Sequence, residues 1–147
     1  MTASLMSASP LRAHVKRVVR APAAAIFDAW TDPAAMARWM TPTGTAAAEV
    51  DLRVGGRFRL VMADEHLRIE HTGEYRVIQP PELLVFTWRS EFTGMRDTLV
   101  TVRLTERRSH ETEVEVTHEL ATDQEASSHA GGWSQLLGRL QAYVEGT

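Results

Sequence analysis

Hydrophobic and polar residues alternate along most of this 147-residue chain, and the period of that alternation changes three times. From Ala13 to Arg20 a β-branched run (Val15, Val18, Val19) predicts a first strand. Pro22 suits the opening of a helix, whose apolar face is Ile26, Phe27 and Trp30. Asp32-Pro33 repeats the start signal, and Met36 and Trp39, three apart, mark a second short helix ended by Pro42 and Gly44. From Ala46 to Leu120 the period is two. Val50, Leu52 and Val54 alternate with Glu49, Asp51 and Arg53, and Gly55-Gly56 makes a turn that calls for φ > 0. Further strands carry Phe58, Leu60 and Met62; Gly73, Tyr75 and Val77; Leu83 to Ser90; Val100, Val102 and Leu104; and Val114, Val116 and His118. That makes seven strands joined mostly by short turns, which requires antiparallel pairing. After Leu120 the spacing becomes helical. Thr122 and Glu125 form a capping box, and Trp133, Leu136, Leu137, Leu140, Tyr143 and Val144 share one face. Gly131-Gly132 either interrupts this helix or lets it approach another backbone closely.

The other strand face carries Arg57, Arg59, Glu74, Arg76, Arg103, Glu113 and Glu115 and belongs in water. The single apolar face must therefore be covered by helices, which defines an α+β domain. Strands about 4.8 Å apart make a seven-stranded sheet roughly 30 Å wide, while a helix with its side chains is about 10–12 Å across. The sheet has to curl around the long C-terminal helix, with the two short helices plugging one opening. This mismatch in width predicts an internal cavity. We expect residues 1–11 to be a flexible N-terminal tail and 12–147 a single domain.

Composition narrows the function. Hydrophobic residues at 44% and charged residues at 24% allow an ordinary packed core. A formal charge of −3 without a dense basic patch argues against a nucleic-acid partner. No apolar run reaches the roughly 20 residues that span a bilayer, and Met1 to Pro10 do not read as a signal peptide, so no membrane association is expected. The absence of cysteine removes disulfides, thiol nucleophiles and thiolate metal sites, and suits a cytoplasmic setting. Asp64, Glu65, His66 and His71 are metal-capable, but histidines five apart on an extended chain point to opposite faces, so no metal or other cofactor is expected. No phosphate loop, Gly-x-Ser-x-Gly or His-Glu-x-x-His motif is present.

The ordered set Ala21-Pro22, Phe27-Asp28-Ala29-Trp30-Thr31-Asp32-Pro33, Arg38-Trp39, Asp51 to Phe58, Gly73-Glu74-Tyr75, Pro80-Pro81-Glu82-Leu83, Thr112 ahead of His118, and Gly132-Trp133 is distinctive. It resembles the activator-of-heat-shock-protein-90-ATPase homologue-like branch of the START-like (SRPBCC) superfamily over nearly the whole chain after residue 12. The resemblance implies the helix-grip fold: a curved seven-stranded antiparallel sheet around a long C-terminal helix, with two short helices after strand one. It also implies a ligand held between sheet and helix.

His118 is the leading polar candidate, because it shares an inward face with Val114 and Val116. A neutral imidazole there would orient a ligand or move a proton; the alternative is a core histidine with ordinary partners. Tyr75 and His71, on inward-alternating positions, are the residues that would join it. The expected lining is Trp39, Phe58, Leu60, Tyr75, Phe86, Trp88, Val102, His118, Trp133 and Leu137, with no catalytic residue assigned. The leading reading is a binding module for a small hydrophobic or amphipathic molecule. Two others stand beside it: a cyclase or hydrolase-type enzyme using His118 and Tyr75, and a co-chaperone-like ATPase regulator. Leu83 and Val85 leave a homodimer open.

Overall fold

The structure is a computed structural model that describes residues 11–66 and 68–146; residues 1–10 of the expected tail lie outside the described residues. Strand β1 (Leu11–Val19) leads into helices α1 (Ala23–Thr31) and α2 (Pro33–Trp39). Strands β2 (Ala46–Val50), β3 (Arg57–Ala63), β4 (Arg68–Gln79), β5 (Leu83–Trp88), β6 (Thr98–Arg108) and β7 (Glu111–Leu120) follow, and helix α3 (Asp123–Glu145) ends the chain. One seven-stranded sheet has the order β1-β7-β6-β5-β4-β3-β2. Every pairing is antiparallel. The chain crosses from one edge to the other through α1 and α2, and the sheet grips α3 as the width argument requires.

Local chemistry explains the element ends. Asp32 caps α2 by accepting from the Ala35 N–H, with Pro33 in the first turn. Thr122 caps α3 by accepting from the Glu125 N–H at 3.1 Å, while the Glu125 carboxylate accepts from Ala121 N–H rather than closing the box on Thr122. Arg96 holds the same carboxylate through two contacts of 2.9 Å and ties the start of α3 to the β5–β6 loop. At the far end of α2, Arg139 of α3 donates to the carbonyls of Arg38, Pro42 and Gly44 at 3.0–3.1 Å. The Arg38 carbonyl belongs to the last turn of α2 and those of Pro42 and Gly44 to the segment after it, so one guanidinium fixes that segment against the helix end.

The structure departs from the sequence pattern between β2 and β3. The alternation over Val50, Leu52 and Val54 predicts strand to residue 54, yet β2 stops at Val50, and Leu52 and Val54 are exposed. Residues 51–56 form a loop that docks on β4 instead: Gly55 N–H donates to the Tyr75 carbonyl, and Tyr75 N–H to the Gly56 carbonyl. Gly55 has φ +85°, as the turn demands. Helix α3 is unbroken through Gly131-Gly132, and a Cβ on either glycine would meet nothing within 4 Å. Neither a break nor a close backbone approach accounts for the pair.

Candidate functional site

Aromatic rings fill the middle of the groove. Trp30 of α1 meets Trp39 of α2 edge-on at 4.8 Å and Trp133 of α3 at 5.8 Å. Below them Phe58 lies 5.6 Å from Tyr75 and 5.4 Å from Phe86. The gap left among these rings is about 10 Å³, too small to place even a water molecule comfortably. Gly73 permits this packing. It is the cross-strand partner of Phe58, and a Cβ there would sit 1.9 Å from the Thr87 carbonyl and 2.4 Å from the Phe58 ring.

Toward the N-terminal half of α3 the filling stops. A cavity of about 280 Å³ opens there between sheet and helix. Met62 of β3, Ile69 and His71 of β4 and Trp88 of β5 form its floor; Ser128, His129, Gly132, Trp133 and Leu136 of α3 form its roof; Pro42 and Phe92 stand at its sides. The helix explains the location. Its buried stripe is Trp133, Leu136, Leu137 and Leu140; in the first half Ser128 and Gly132, both exposed, flank that stripe and border the cavity on its open side. Small side chains there leave the width of the sheet uncompensated.

Of the expected lining residues, the structure brings Trp88 and Trp133 together at this cavity, 5.2 Å apart. Trp39, Leu60, Val102, His118 and Leu137 are at most 1% exposed in packed core, and Phe58, Tyr75 and Phe86 border only the small gap. The cavity residues outside that set are Met62, Ile69, His71, Pro42, Phe92, Ser128, His129, Gly132 and Leu136. Ile69 continues the inward alternation of His71, Gly73 and Tyr75, and Ser128, Gly132 and Leu136 are spaced by four. That spacing of small residues was the available signal.

Two buried histidines have opposite surroundings. His118 is enclosed and fully partnered: Trp133 Nε1–H donates to its Nδ1 at 3.1 Å, and its Nε2 meets Thr98 Oγ1 at 2.7 Å. Indole nitrogen only donates, so Nδ1 carries no proton and Nε2 does. Thr98 then passes its own proton to the Trp88 carbonyl at 2.6 Å. Burial, with His129 beside it, pushes His118 down to about 3. Protonation at Nδ1 would break the bond to Trp133, so the ring is a neutral structural element. Tyr75, whose hydroxyl is pushed up by burial, lies on β4 with β5 and β6 between it and His118 on β7. The two do not form an acid–base pair.

His71 is also 95% enclosed, being 5% exposed, but its Nδ1 has no hydrogen-bond partner. Its ring stacks on Trp88 with centroids 4.5 Å apart. Burial first, and His129 to a lesser degree, lower it to about 4, against an opposing effect of the Leu60 backbone. His129 turns Nδ1 to the Glu125 carbonyl at 2.8 Å. Among the described residues no group of three or more His, Asp or Glu side chains could hold a metal ion, and no helix is long and apolar enough to cross a membrane.

Solved structures share this architecture. Protein CV1439 from Chromobacterium violaceum is 27% identical, with a TM-score of 0.77 over 92% of this chain and 99% of that one. CalU16 from Micromonospora echinospora is 26% identical, with a TM-score of 0.71 over 90% and 75%. An HSP90 activator from Plasmodium falciparum, 23% identical, shares the fold with a TM-score of 0.75 over 92% and 96%. No curated protein matches the sequence. The family described as Activator of Hsp90 ATPase homolog 1-like protein matches residues 20–145, and the chain belongs to that family.

Proposed function

We propose that the protein binds a small, mostly apolar molecule in the cavity between β3–β5 and the first half of α3, in a cytoplasmic setting. One observation carries this reading: the mostly apolar gap of about 280 Å³ opens beside Trp133 and Leu136, where the exposed small residues Ser128 and Gly132 border it. Ligand sites are concave, mainly apolar, and supplied with a few polar groups, which describes Met62, Ile69, Trp88 and Trp133 around His71 and His129. The size is at the small end of the usual range, which favours compact ligands.

The test is a thermal-melt screen of one- and two-ring aromatic compounds against the wild type and Gly132→Leu. A ligand selective for the folded state stabilises it by about 2.7 kcal/mol at one hundred times its Kd. Hits on the wild type that disappear in the variant support the reading; hits unaffected by the variant place binding elsewhere. A second reading, regulation of a chaperone ATPase, is favoured by the family's description and by the activator of the same fold. Stimulation of a purified Hsp90 ATPase would support it.

A further inference from the structure

Of the side chains that line the cavity, His129 has its hydrogen bonding half completed. A carbonyl oxygen only accepts, so the 2.8 Å contact with the Glu125 carbonyl fixes a proton on Nδ1. The other nitrogen, Nε2, lies on the side of the ring away from the helix backbone. It bonds nothing among the described residues and is not enclosed. Ser128, next to it on the roof and exposed, likewise has a hydroxyl without a partner among the described residues. Resting on the reading of the cavity as a ligand site, we propose that His129 anchors the head of an amphipathic guest: a compact apolar body of about two rings that carries one carboxylic acid group.

The lining separates head from body. Trp88 and Trp133, both buried, and Ile69 offer apolar surface to the body. Half-buried His129 and exposed Ser128 stand on the open side, where a charged head keeps part of its hydration. An apolar cavity of about 150 Å³ holds benzene, so about 280 Å³ suits roughly two fused rings. An acid meets Nε2 in either protonation state of the pair. A carboxyl group donates to the neutral imidazole, and a carboxylate accepts from the imidazolium, so the same contact forms wherever the proton sits. The His118 ring, nearly perpendicular with centroids 4.8 Å apart, braces that of His129. The other two imidazoles are no rivals for the head: both nitrogens of His118 are bonded, and His71 is enclosed and kept neutral by burial. No lysine or arginine lines the cavity to draw the acid elsewhere, and no carboxylate lines it to receive an amine. Glu125, one turn back on α3, is held by Arg96 through two contacts of 2.9 Å, so its charge is compensated and does not oppose the head.

Calorimetric titration with 2-naphthoate, methyl 2-naphthoate and 2-naphthylmethylamine tests this on the full chain. The ester keeps the rings and the carbonyl but has neither a charge nor a proton to share. We expect the wild type to bind naphthoate about tenfold more tightly than the ester or the amine. In His129→Phe the preference over the ester should vanish while affinity for the ester stays within about threefold, which also reports that the variant is folded. Should that variant not fold, the wild-type preference together with a ¹⁵N shift at His129 Nε2, with His118 unmoved, decides the matter. Equal binding of naphthoate and ester, tighter binding of the amine, or a preference for naphthoate that survives in His129→Phe overturns the anchor but leaves the apolar site standing. Binding of none of the three overturns both.

Discussion

Gly73, buried in the groove, and Gly132, exposed at the edge of the cavity, mark the two regions. At Gly73 a single added carbon would collide with the Thr87 backbone and the Phe58 ring, at 1.9 and 2.4 Å. At Gly132 it would meet nothing within 4 Å. The sheet is equally too wide for the helix in both places. In the filled region Phe58, Tyr75 and Phe86 rise from the sheet while α1 and α2 press Trp30 and Trp39 down on them. In the hollow region the sheet offers Met62, Ile69 and His71, and the helix answers with Ser128 and Gly132. In this chain the cavity lies beside the small residues of the helix, and the width of the sheet alone does not say where it opens.

The contrast breaks most visibly at Gly73. Gly73→Val should cost about 3 kcal/mol or more, since backbone rather than a flexible side chain is in the way. Urea denaturation checks this, and an unchanged midpoint would mean that the filled region yields easily.

The buried histidines give a pH dependence of nearly the same size. Both are lowered in the fold, His71 to about 4 and His118 to about 3, from an ordinary value of 6.5. Between those values the unfolded chain binds more protons, so stability is complete above about pH 6.5 and falls as pH drops toward 4 and then 3. With about 1.4 kcal/mol for each pKa unit, the loss by pH 4 should be several kcal/mol. Denaturation series from pH 7.5 to 4.5 should show this slope, and His71→Phe should make it shallower; a flat profile in the wild type would contradict the burial of both rings.

Truncation on the helix compares the regions directly. Leu140→Ala, in solid core, should cost about 2–5 kcal/mol, and Leu136→Ala, already beside a void, about half as much. Equal losses would mean that the cavity collapses around Leu136. The smallest change is expected at Gly132→Leu, within about 1 kcal/mol of the wild type and on the stabilising side. The substitution gains helix propensity and fills open space.

Much of the fold was legible in the chain, because strand and helix periods act through neighbours close in sequence. Asp32-Pro33 starts α2 where the sequence places it, and Gly55 takes the positive φ that its turn requires. The β2–β3 loop was not legible: Leu52 and Val54 keep the alternation of a strand, but the backbone at 55 and 56 bonds to Tyr75 on another strand instead. The surroundings of His118 were equally hidden, since its partners Thr98 and Trp133 lie 20 and 15 residues away. The cavity depended on two small helix residues that read, along the chain, as a polar or breaking stretch.

Methyl NMR of the wild type and Gly132→Leu during titration with naphthalene tests the central claim most directly. The account predicts shifts at Met62, Ile69 and Leu136, with Leu137 and Leu140 unmoved, and none of these shifts in the variant. Shifts spread evenly over both regions, or a silent spectrum up to the solubility limit of naphthalene, would contradict it.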